Sequence, residues 1–336
     1  MTKCLVTGAT GFTGGHLART LVRQGHAVRA LVRPSRAAAE LRSAGVELFE
    51  GQLTRAQDVI QATEGCERVF HIAAVFRTAG HPDSYYYDVN VGGTSHVLEA
   101  ARRAGCERVV HCSTGGVHGH IEEPPADENY RVKPDDVYQR SKLEAERVVN
   151  EAIRRGQGAV IFRPGAIYGE GDLRFLKLFR SIQKRRFVMI GPGTTRLHMV
   201  HVDDLVQGIL LCASSAAALG ETFLLAGPEA PTLNEIVADA AEVLNVPPPR
   251  LHVPVWPVYA AGALFELICV PLRVDPPLHR RRVGFFTHHR EFNITKAERL
   301  LGFVPRIGAR VGIERTIRWY AAQGYLKLGN RENRPL

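Results

Sequence analysis

Cys4-Leu5-Val6-Thr7-Gly8-Ala9-Thr10-Gly11-Phe12-Thr13-Gly14 carries an apolar run into three glycines spaced three apart, and a helical pattern over Gly14–Gln24 follows. The first two glycines permit a tight turn and close backbone approach to a pyrophosphate, and the third lets helix and strand pack closely. The helix N-terminus then offers unpaired N–H groups to the anion. A glycine triplet alone is a weak signal. Its place between a first strand and a first helix is the context that the motif requires.

Outward from this turn, short apolar runs alternate with amphipathic stretches. The strand candidates are Cys4–Val6, Ala27–Val32, Val46–Phe49, Val69–Ile72, Val109–Cys112 and Val160–Arg163. Helical patterns fall at Ala37–Ala44, Ala56–Ala62, Gly92–Ala104 and Val137–Arg154, and Tyr85-Tyr86-Tyr87 opens a helix leading to Asn90. Regular alternation with two-sided apolar strands predicts an α/β fold: a doubly wound, Rossmann-type parallel sheet covered by helices on both faces. After Pro164 the alternation loosens and Pro and Gly become frequent. Thr232-Leu233-Asn234-Glu235 reads as a capping box opening a helix to about Leu244. A last amphipathic helix is expected at about Gly312–Gln323. The expected division is a dinucleotide-binding domain over residues 1–168, with about 198–226 added. A smaller mixed α/β substrate lobe takes 169–197 and 227–330, and 331–336 form a tail.

The end of the second strand bears on the cofactor. An Asp or Glu about 20 residues after the glycines would mark the ribose of NAD. This chain has Val32-Arg33-Pro34-Ser35-Arg36 and no acid before Glu40. Arg33 and Arg36 suit a 2′-phosphate, so NADP is the expected cofactor, with NAD as the alternative.

Tyr138 and Lys142 stand four apart on one predicted helical face. A tyrosine with a pKa of about 10 resists ionisation at neutral pH by roughly 4 kcal/mol. A neighbouring ammonium lowers that cost and makes the phenol a usable general acid/base. The preceding strand ends in Ser113-Thr114, and a hydroxyl there could hold a substrate carbonyl oxygen. Alternation would send Ser113 and Thr114 to opposite faces, so one of them should reach the site.

These residues resemble the extended short-chain dehydrogenase/reductase family, also called the NAD-dependent epimerase/dehydratase family, over nearly the whole chain. Further matches are His71-Ile72-Ala73-Ala74, Asn90-Val91-Gly92-Gly93-Thr94, Arg163-Pro164-Gly165-Ala166-Ile167-Tyr168-Gly169, His201-Val202-Asp203-Asp204 and Gly302-Phe303-x-Pro305. The resemblance implies Thr114, Tyr138 and Lys142 as the catalytic residues, with Lys142 also binding ribose. For the cofactor it implies Gly8, Thr10, Gly11, Phe12, Thr13 and Gly14 at the pyrophosphate, Ala73 and Ala74 on the adenosine side, and Pro164 at the nicotinamide. Gly51-Gln52-Leu53 departs from the family pattern, which has Asp between that Gly and Leu; the amide oxygen of Gln52 would replace it at the adenine.

Composition narrows the remainder. The chain has 336 residues, 45% hydrophobic and 23% charged, which excludes disordered and disulfide-scaffold classes. Lys and Arg outnumber Asp and Glu by 43 to 34, a net charge of +9. This suggests an anionic ligand or surface but is too diffuse for a nucleic-acid partner. Six separated cysteines without a C-x-x-C pair predict reduced thiols and a cytoplasmic location. No signal peptide is read before the first strand. His118/His120, His198/His201 and His288/His289 make no convincing metal set, and Arg280–Arg282 reads as a solvated face. The apolar stretch Val253–Val274 is broken by Pro254, Pro257, Glu266 and Pro271, so it should not span a membrane. It reads as a pocket lid, the segment Val255–Val270 lying against the substrate, or as a peripheral membrane contact.

The favoured reading is an oxidoreductase interconverting a ketone and a secondary alcohol on an apolar substrate, resembling the 3β-hydroxysteroid dehydrogenase and dihydroflavonol reductase branch. The expected assembly is a homodimer. A nucleotide-sugar epimerase or dehydratase with tightly bound NAD is the alternative. Sugar-nucleotide members of the family carry an Arg where this chain has Leu197, with Arg196 one residue away. A non-catalytic dinucleotide-binding regulator is the third reading, disfavoured by the intact Thr114, Tyr138 and Lys142.

Overall fold

The β-branched runs pair side by side in the computed structural model, which describes residues 2–76, 81–269 and 280–328. The first elements are β1 (Lys3–Thr7), α1 (Phe12–Arg23), β2 (Ala27–Val32), α2 (Arg36–Ser43), β3 (Glu47–Glu50), α3 (Ala56–Thr63) and β4 (Arg68–His71). A short α4 (Asp83–Tyr87) passes through one π-turn, Asp88–Gly92, into α5 (Gly93–Arg103). There follow β5 (Arg108–Cys112), α6 (Val137–Arg154), β6 (Ala159–Pro164), β7 (Ala166–Tyr168), α7 (Leu176–Gln183), β8 (Met189–Ile190) and β9 (Met199–His201). Then come α8 (Val202–Ser214), β10 (Thr222–Leu225), α9 (Leu233–Val243), β11 (His252–Val253), α10 (Val255–Cys269), α11 (Arg280–Thr287), α12 (Thr295–Leu301) and α13 (Ala309–Ala322).

Seven strands form one parallel sheet in the order β10-β6-β5-β4-β1-β2-β3. All six residues of β6 are buried, as a strand covered on both faces requires. On one face Leu17 and Leu21 of α1 join Leu205 and Ile209 of α8 in an apolar cluster. On the other, Val59 of α3, Val97 of α5 and Val149 of α6 close a second. The strand order reverses between β1 and β4, and open α/β sheets bind ligands in the crevice beyond such a switch point.

A third cluster lies beyond the sheet, where Phe179 of α7, Ile236 of α9 and Ile313 and Tyr320 of α13 surround Tyr168. Two small parallel pairs, β8–β11 and β7–β9, brace it. The capping box is present, with Thr232 and Glu235 each bonding the other's backbone N–H. The last helix starts at Ala309, ahead of the expected Gly312. Gly312 sits inside it because a Cβ there would lie 2.1 Å from the Tyr168 hydroxyl.

Candidate active site

The turn after β1 is built against β4. Gly8 has φ +75°, and a Cβ on it would lie 2.6 Å from the Ala73 nitrogen. On Gly14 a Cβ would lie 2.3 Å from the Gly8 carbonyl oxygen. Both positions therefore exclude side chains, one for conformation and contact, the other for contact alone. Thr7 fastens the same junction: its hydroxyl accepts from Ala73 N at 3.3 Å and bonds His71 Nδ1 at 2.8 Å. α1 begins at Phe12 with no side-chain cap, so its first N–H groups face the cleft mouth unsatisfied by the helix.

That cleft measures about 490 Å³ and is lined by Gly8, Thr10, Gly11, Phe12, Thr13, Gly14, Arg33, Gln52, Leu53, Ala73 and Ala74. Every residue assigned from sequence to the pyrophosphate and adenosine thus borders one space. A glycine cradle closed to side chains, an uncapped helix start and a cation at the far end fit a dinucleotide. Arg33 borders the cleft, whereas Arg36 pairs with Glu40 at 3.4 Å on α2 and does not line it. The expected pair of arginines is therefore reduced to one. Gln52 is held through its backbone N–H, which donates to Asp58 Oδ2 at 2.8 Å.

A second cavity of about 530 Å³ adjoins the first, and Thr13, Ile72, Ala74, Phe76 and Arg174 border both. Thr114, Tyr138, Lys142 and Pro164 line it together. Asp136 caps α6 by accepting from Gln139 N at 2.9 Å, which starts the helix at Val137, one residue before Tyr138. The Tyr138 ring meets Phe76 edge-on at 4.9 Å. Asn90 spans from α5's approach to α6: it bonds both backbone groups of Val75 and donates to Ser141 Oγ at 2.9 Å. Ser141 in turn donates to the Tyr138 carbonyl.

Lys142 is 1% exposed, and burial pushes its ammonium below the ordinary lysine value. Beside it, burial pushes the Cys112 thiol up to about 11. His71 is held at about 3, by burial first and the Lys142 charge second. His71 Nε2 bonds Thr94 Oγ1 at 2.9 Å, and Thr94 donates to the Asn90 carbonyl. Cys112 and His71 are therefore neutral neighbours of the Lys142 ammonium.

Both residues at the end of β5 border the cavity, where alternation predicts one. Their hydroxyls differ in what they bond: Ser113 donates to Glu146, while Thr114 accepts from Gly116 N at 3.1 Å and keeps its own proton to donate. Glu146 also takes a bidentate pair from Arg163, at 2.9 Å from Nε and 2.7 Å from Nη2. It lies one turn beyond Lys142, so Tyr138, Lys142 and Glu146 share one side of α6.

The outer wall of this cavity differs from the expectation. Ile167, Phe175, Leu178, Leu197, Phe285 and Phe292 form it, and no described residue of Val255–Val270 does. α10 turns its apolar side chains outward instead, with Trp256 75% exposed. The remainder of the stretch, 270–274, and the side chains of Arg280–Arg282 lie outside the described residues. Leu197 lines the cavity, and Arg196 points away, bonding the Ala230 carbonyl at 2.9 Å and pairing with Glu291 at 3.5 Å. Sequence reasoning missed the cations Arg174 and Arg290 and the ring of His198, all of which border the cavity. Arg174 stands where the two spaces meet, anchored on Asp172 and lying over the Phe12 and Phe76 rings.

Glu170, His201 and Asp203 offer donor atoms within 4.8 Å of one another. Arg315 already bridges both carboxylates at 2.7 Å, so a guanidinium holds the place of a cation there. The six cysteines are free thiols. Among the described residues no helix is long and apolar enough to cross a membrane.

Residues 4–226 match the family described as NAD dependent epimerase/dehydratase. The chain is 32% identical to sterol demethylase protein B of Methylococcus capsulatus, across 96% of this chain and 99% of that protein. It is 30% identical to a 3 beta-hydroxysteroid dehydrogenase/Delta 5-->4-isomerase of Mycobacterium tuberculosis, across 95% and 90%. The solved structure of MoeE5 in complex with UDP-glucose and NAD superposes with a TM-score of 0.74 at 26% identity, covering 96% of this chain and 99% of that one.

Proposed function

We propose, since the chain belongs to the NAD-dependent epimerase/dehydratase family and is an oxidoreductase of the extended short-chain dehydrogenase/reductase type, that it interconverts a ketone and a secondary alcohol on an apolar substrate. The observation that carries this reading is one cavity that joins Thr114, Tyr138 and Lys142 to a wall of Ile167, Phe175, Leu178, Leu197, Phe285 and Phe292. Sterol-like compounds, β-keto acids and polycyclic phenolics suit such a wall. The division into a dinucleotide-binding domain and a substrate lobe belongs to the same proposal.

The nicotinamide cofactor, when bound, supplies or accepts the hydride. In the direction of reduction, Tyr138 donates its phenolic proton to the carbonyl oxygen, which Thr114 holds by a hydrogen bond. The ammonium of Lys142 stabilises the phenolate left behind, with more effect because it is buried. The neutral His71 beside it adds no competing charge. Phe76, against the tyrosine ring, restricts both its rotation and the entry of water. Arg33 at the adenosine end supports NADP over NAD, because no Asp or Glu is among the described residues that line that cleft.

The test is NADPH oxidation across a series of ketones of rising alkyl length, beside direct binding of UDP-glucose. Each buried methylene contributes about 0.8 kcal/mol, so four more carbons should tighten binding roughly a hundredfold. Flat chain-length dependence with micromolar UDP-glucose binding would overturn the proposal. It would favour the epimerase reading, for which Arg174 and Arg290 in the cavity are the supporting observation. Arg33→Asp should move preference toward NAD(H), and tighter NAD(H) than NADP(H) binding by the unaltered protein would refute the cofactor assignment.

A further inference from the structure

Helix α10 presents an apolar face to solvent. At 100° per residue, Trp256, Tyr259, Ala260, Ala263, Leu264 and Leu267 fall within one arc of the helix. Trp256 is 75% and Leu267 73% exposed, and Tyr259 and Leu264 are exposed as well. No charged residue lies in that arc; Glu266 falls about 20° beyond its edge, and on the far side Gly262 is buried while Phe265 is 39% exposed. A globular helix ordinarily turns its polar side outward. Here the side turned outward is the greasy one.

We infer that the α10 face docks on an anionic lipid bilayer, lying in its interface rather than crossing it. Fifteen residues make a helix of about 22 Å, short of the roughly 30 Å hydrocarbon core. Tryptophan and tyrosine at its N-terminal end and leucines further along suit the headgroup–acyl boundary. Charge complementarity selects the lipid. The protein carries a net +9, and α11, which packs on α10, opens with the triplet Arg280-Arg281-Arg282. Basic residues next to an inserted apolar helix are drawn to anionic headgroups. A second copy of the chain fits less well. One face of a helix about 22 Å long and 10 Å wide covers roughly 220 Å², against about 800 Å² per partner in a stable dimer.

Docking would also bring the bilayer close to the cavity. α11 packs on α10 and contributes Phe285 to the cavity wall, so a single helix separates the two. The inference stands on α10 alone and holds whatever the cavity takes up.

The protein has two tryptophans, Trp256 and Trp319, so Trp319→Phe leaves Trp256 as the reporter. Full-length protein would be mixed with vesicles of phosphatidylcholine alone or with added phosphatidylglycerol. The expected results are a blue shift of Trp256 emission and co-flotation with the anionic vesicles, both weakened by salt. Leu264→Ser/Leu267→Ser should cut vesicle affinity roughly tenfold or more, with an unchanged melting temperature because both side chains already face solvent. Failure of the unaltered protein to float with anionic vesicles would overturn the inference. So would equal binding by the double variant, or a dimer that dissociates in that variant with no vesicle binding by either protein. None of these outcomes depends on turnover, so they leave the proposed reaction to its own test.

Discussion

Removing the carboxylate of Glu146 should destabilise the fold more than any exposed ion-pair change. Glu146 and Arg163 have side chains 3% and 9% exposed, and the carboxylate accepts from Arg163 Nε, Arg163 Nη2 and Ser113 Oγ. In Glu146→Ala the guanidinium keeps only the Glu128 carbonyl at 3.2 Å and His118 Nε2 at 3.3 Å, and neither carries a negative charge. Breaking a buried pair from one side costs about 3–5 kcal/mol, mostly the penalty of the orphaned charge. Replacing both partners by apolar residues of similar volume is often nearly neutral. Glu146→Leu/Arg163→Met should therefore recover most of what either single change loses. Urea denaturation of the wild type, Glu146→Leu, Arg163→Met and the double forms the cycle, with Glu146→Ala measured beside it, read as midpoint shifts at unchanged slope. A loss below about 1 kcal/mol in Glu146→Ala, or single losses that simply add in the double, would refute the reasoning. The same variants should lose activity beyond their loss of stability, because Ser113, freed from Glu146, immediately precedes Thr114.

Gly14→Ala forces a Cβ to within 2.3 Å of the Gly8 carbonyl oxygen. The turn must move, so NAD(P)H dissociation constants should rise at least about tenfold, and unchanged fluorescence titrations would contradict this. Tyr138→Phe removes only the proton donor and should lower kcat roughly a hundredfold or more at nearly constant cofactor affinity. Lys142→Ala should weaken both, and a Tyr138→Phe enzyme above a tenth of the wild-type rate would rule out the assigned acid. His71, at about 3 in the fold against 6.5 unfolded, refuses a proton that the unfolded chain accepts. Stability should thus fall as pH drops from 6.5 toward 3, by about 2–3 kcal/mol near pH 4.5 from this residue alone. Wild type should lose that much more than His71→Gln between neutral and acid pH, and parallel losses in the two proteins would contradict it.

The parallel sheet was legible because its strands are apolar on both faces and alternate with helices of regular period. Six strands appear where the runs lie, with no end shifted by more than one residue. β10 (Thr222–Leu225) was not read as a strand, because it joins the sheet edge beside β6 after the regular alternation has ended. β7, β8, β9 and β11 span two or three residues, too few for any periodicity to register. Tyr138 and Lys142 were legible because one helix carries both. Glu146 lies on the same side of that helix, but a charged residue there reads by default as solvated. Its burial comes from Arg163, 17 positions away, arriving from β6. Arg174 and Arg290 were missed for a related reason: arginines in loops look alike until the fold places them. For α10 the composition announced apolarity but not direction. The segment read as a cavity wall, and that wall is supplied instead by residues from β7, α7, α11 and the loops.

The two cavities differ in what holds them. The dinucleotide cleft follows from strand order, because any chain that reverses between β1 and β4 opens a crevice there, and glycines need only keep it clear. Tyr138 and Thr114 are fixed to that frame by buried polar ties. Asn90 joins Val75 to Ser141, and Glu146 joins Ser113 to Arg163, so α6 and the end of β5 cannot shift independently. The outer wall is tied through its backbone: Phe292 N donates to His198 Nδ1 at 3.1 Å and His198 N to the Arg290 carbonyl at 2.7 Å. The side chains of Phe175, Leu197, Phe285 and Phe292, from four separate segments, meet through packing. Substitutions there change shape and polarity without breaking a buried hydrogen bond, whereas a change at Asn90 or Glu146 strands several. Substrate choice can therefore vary while the reacting groups stay in register. This is why a fold and a reaction type are readable from motifs when a substrate has to be argued from the wall.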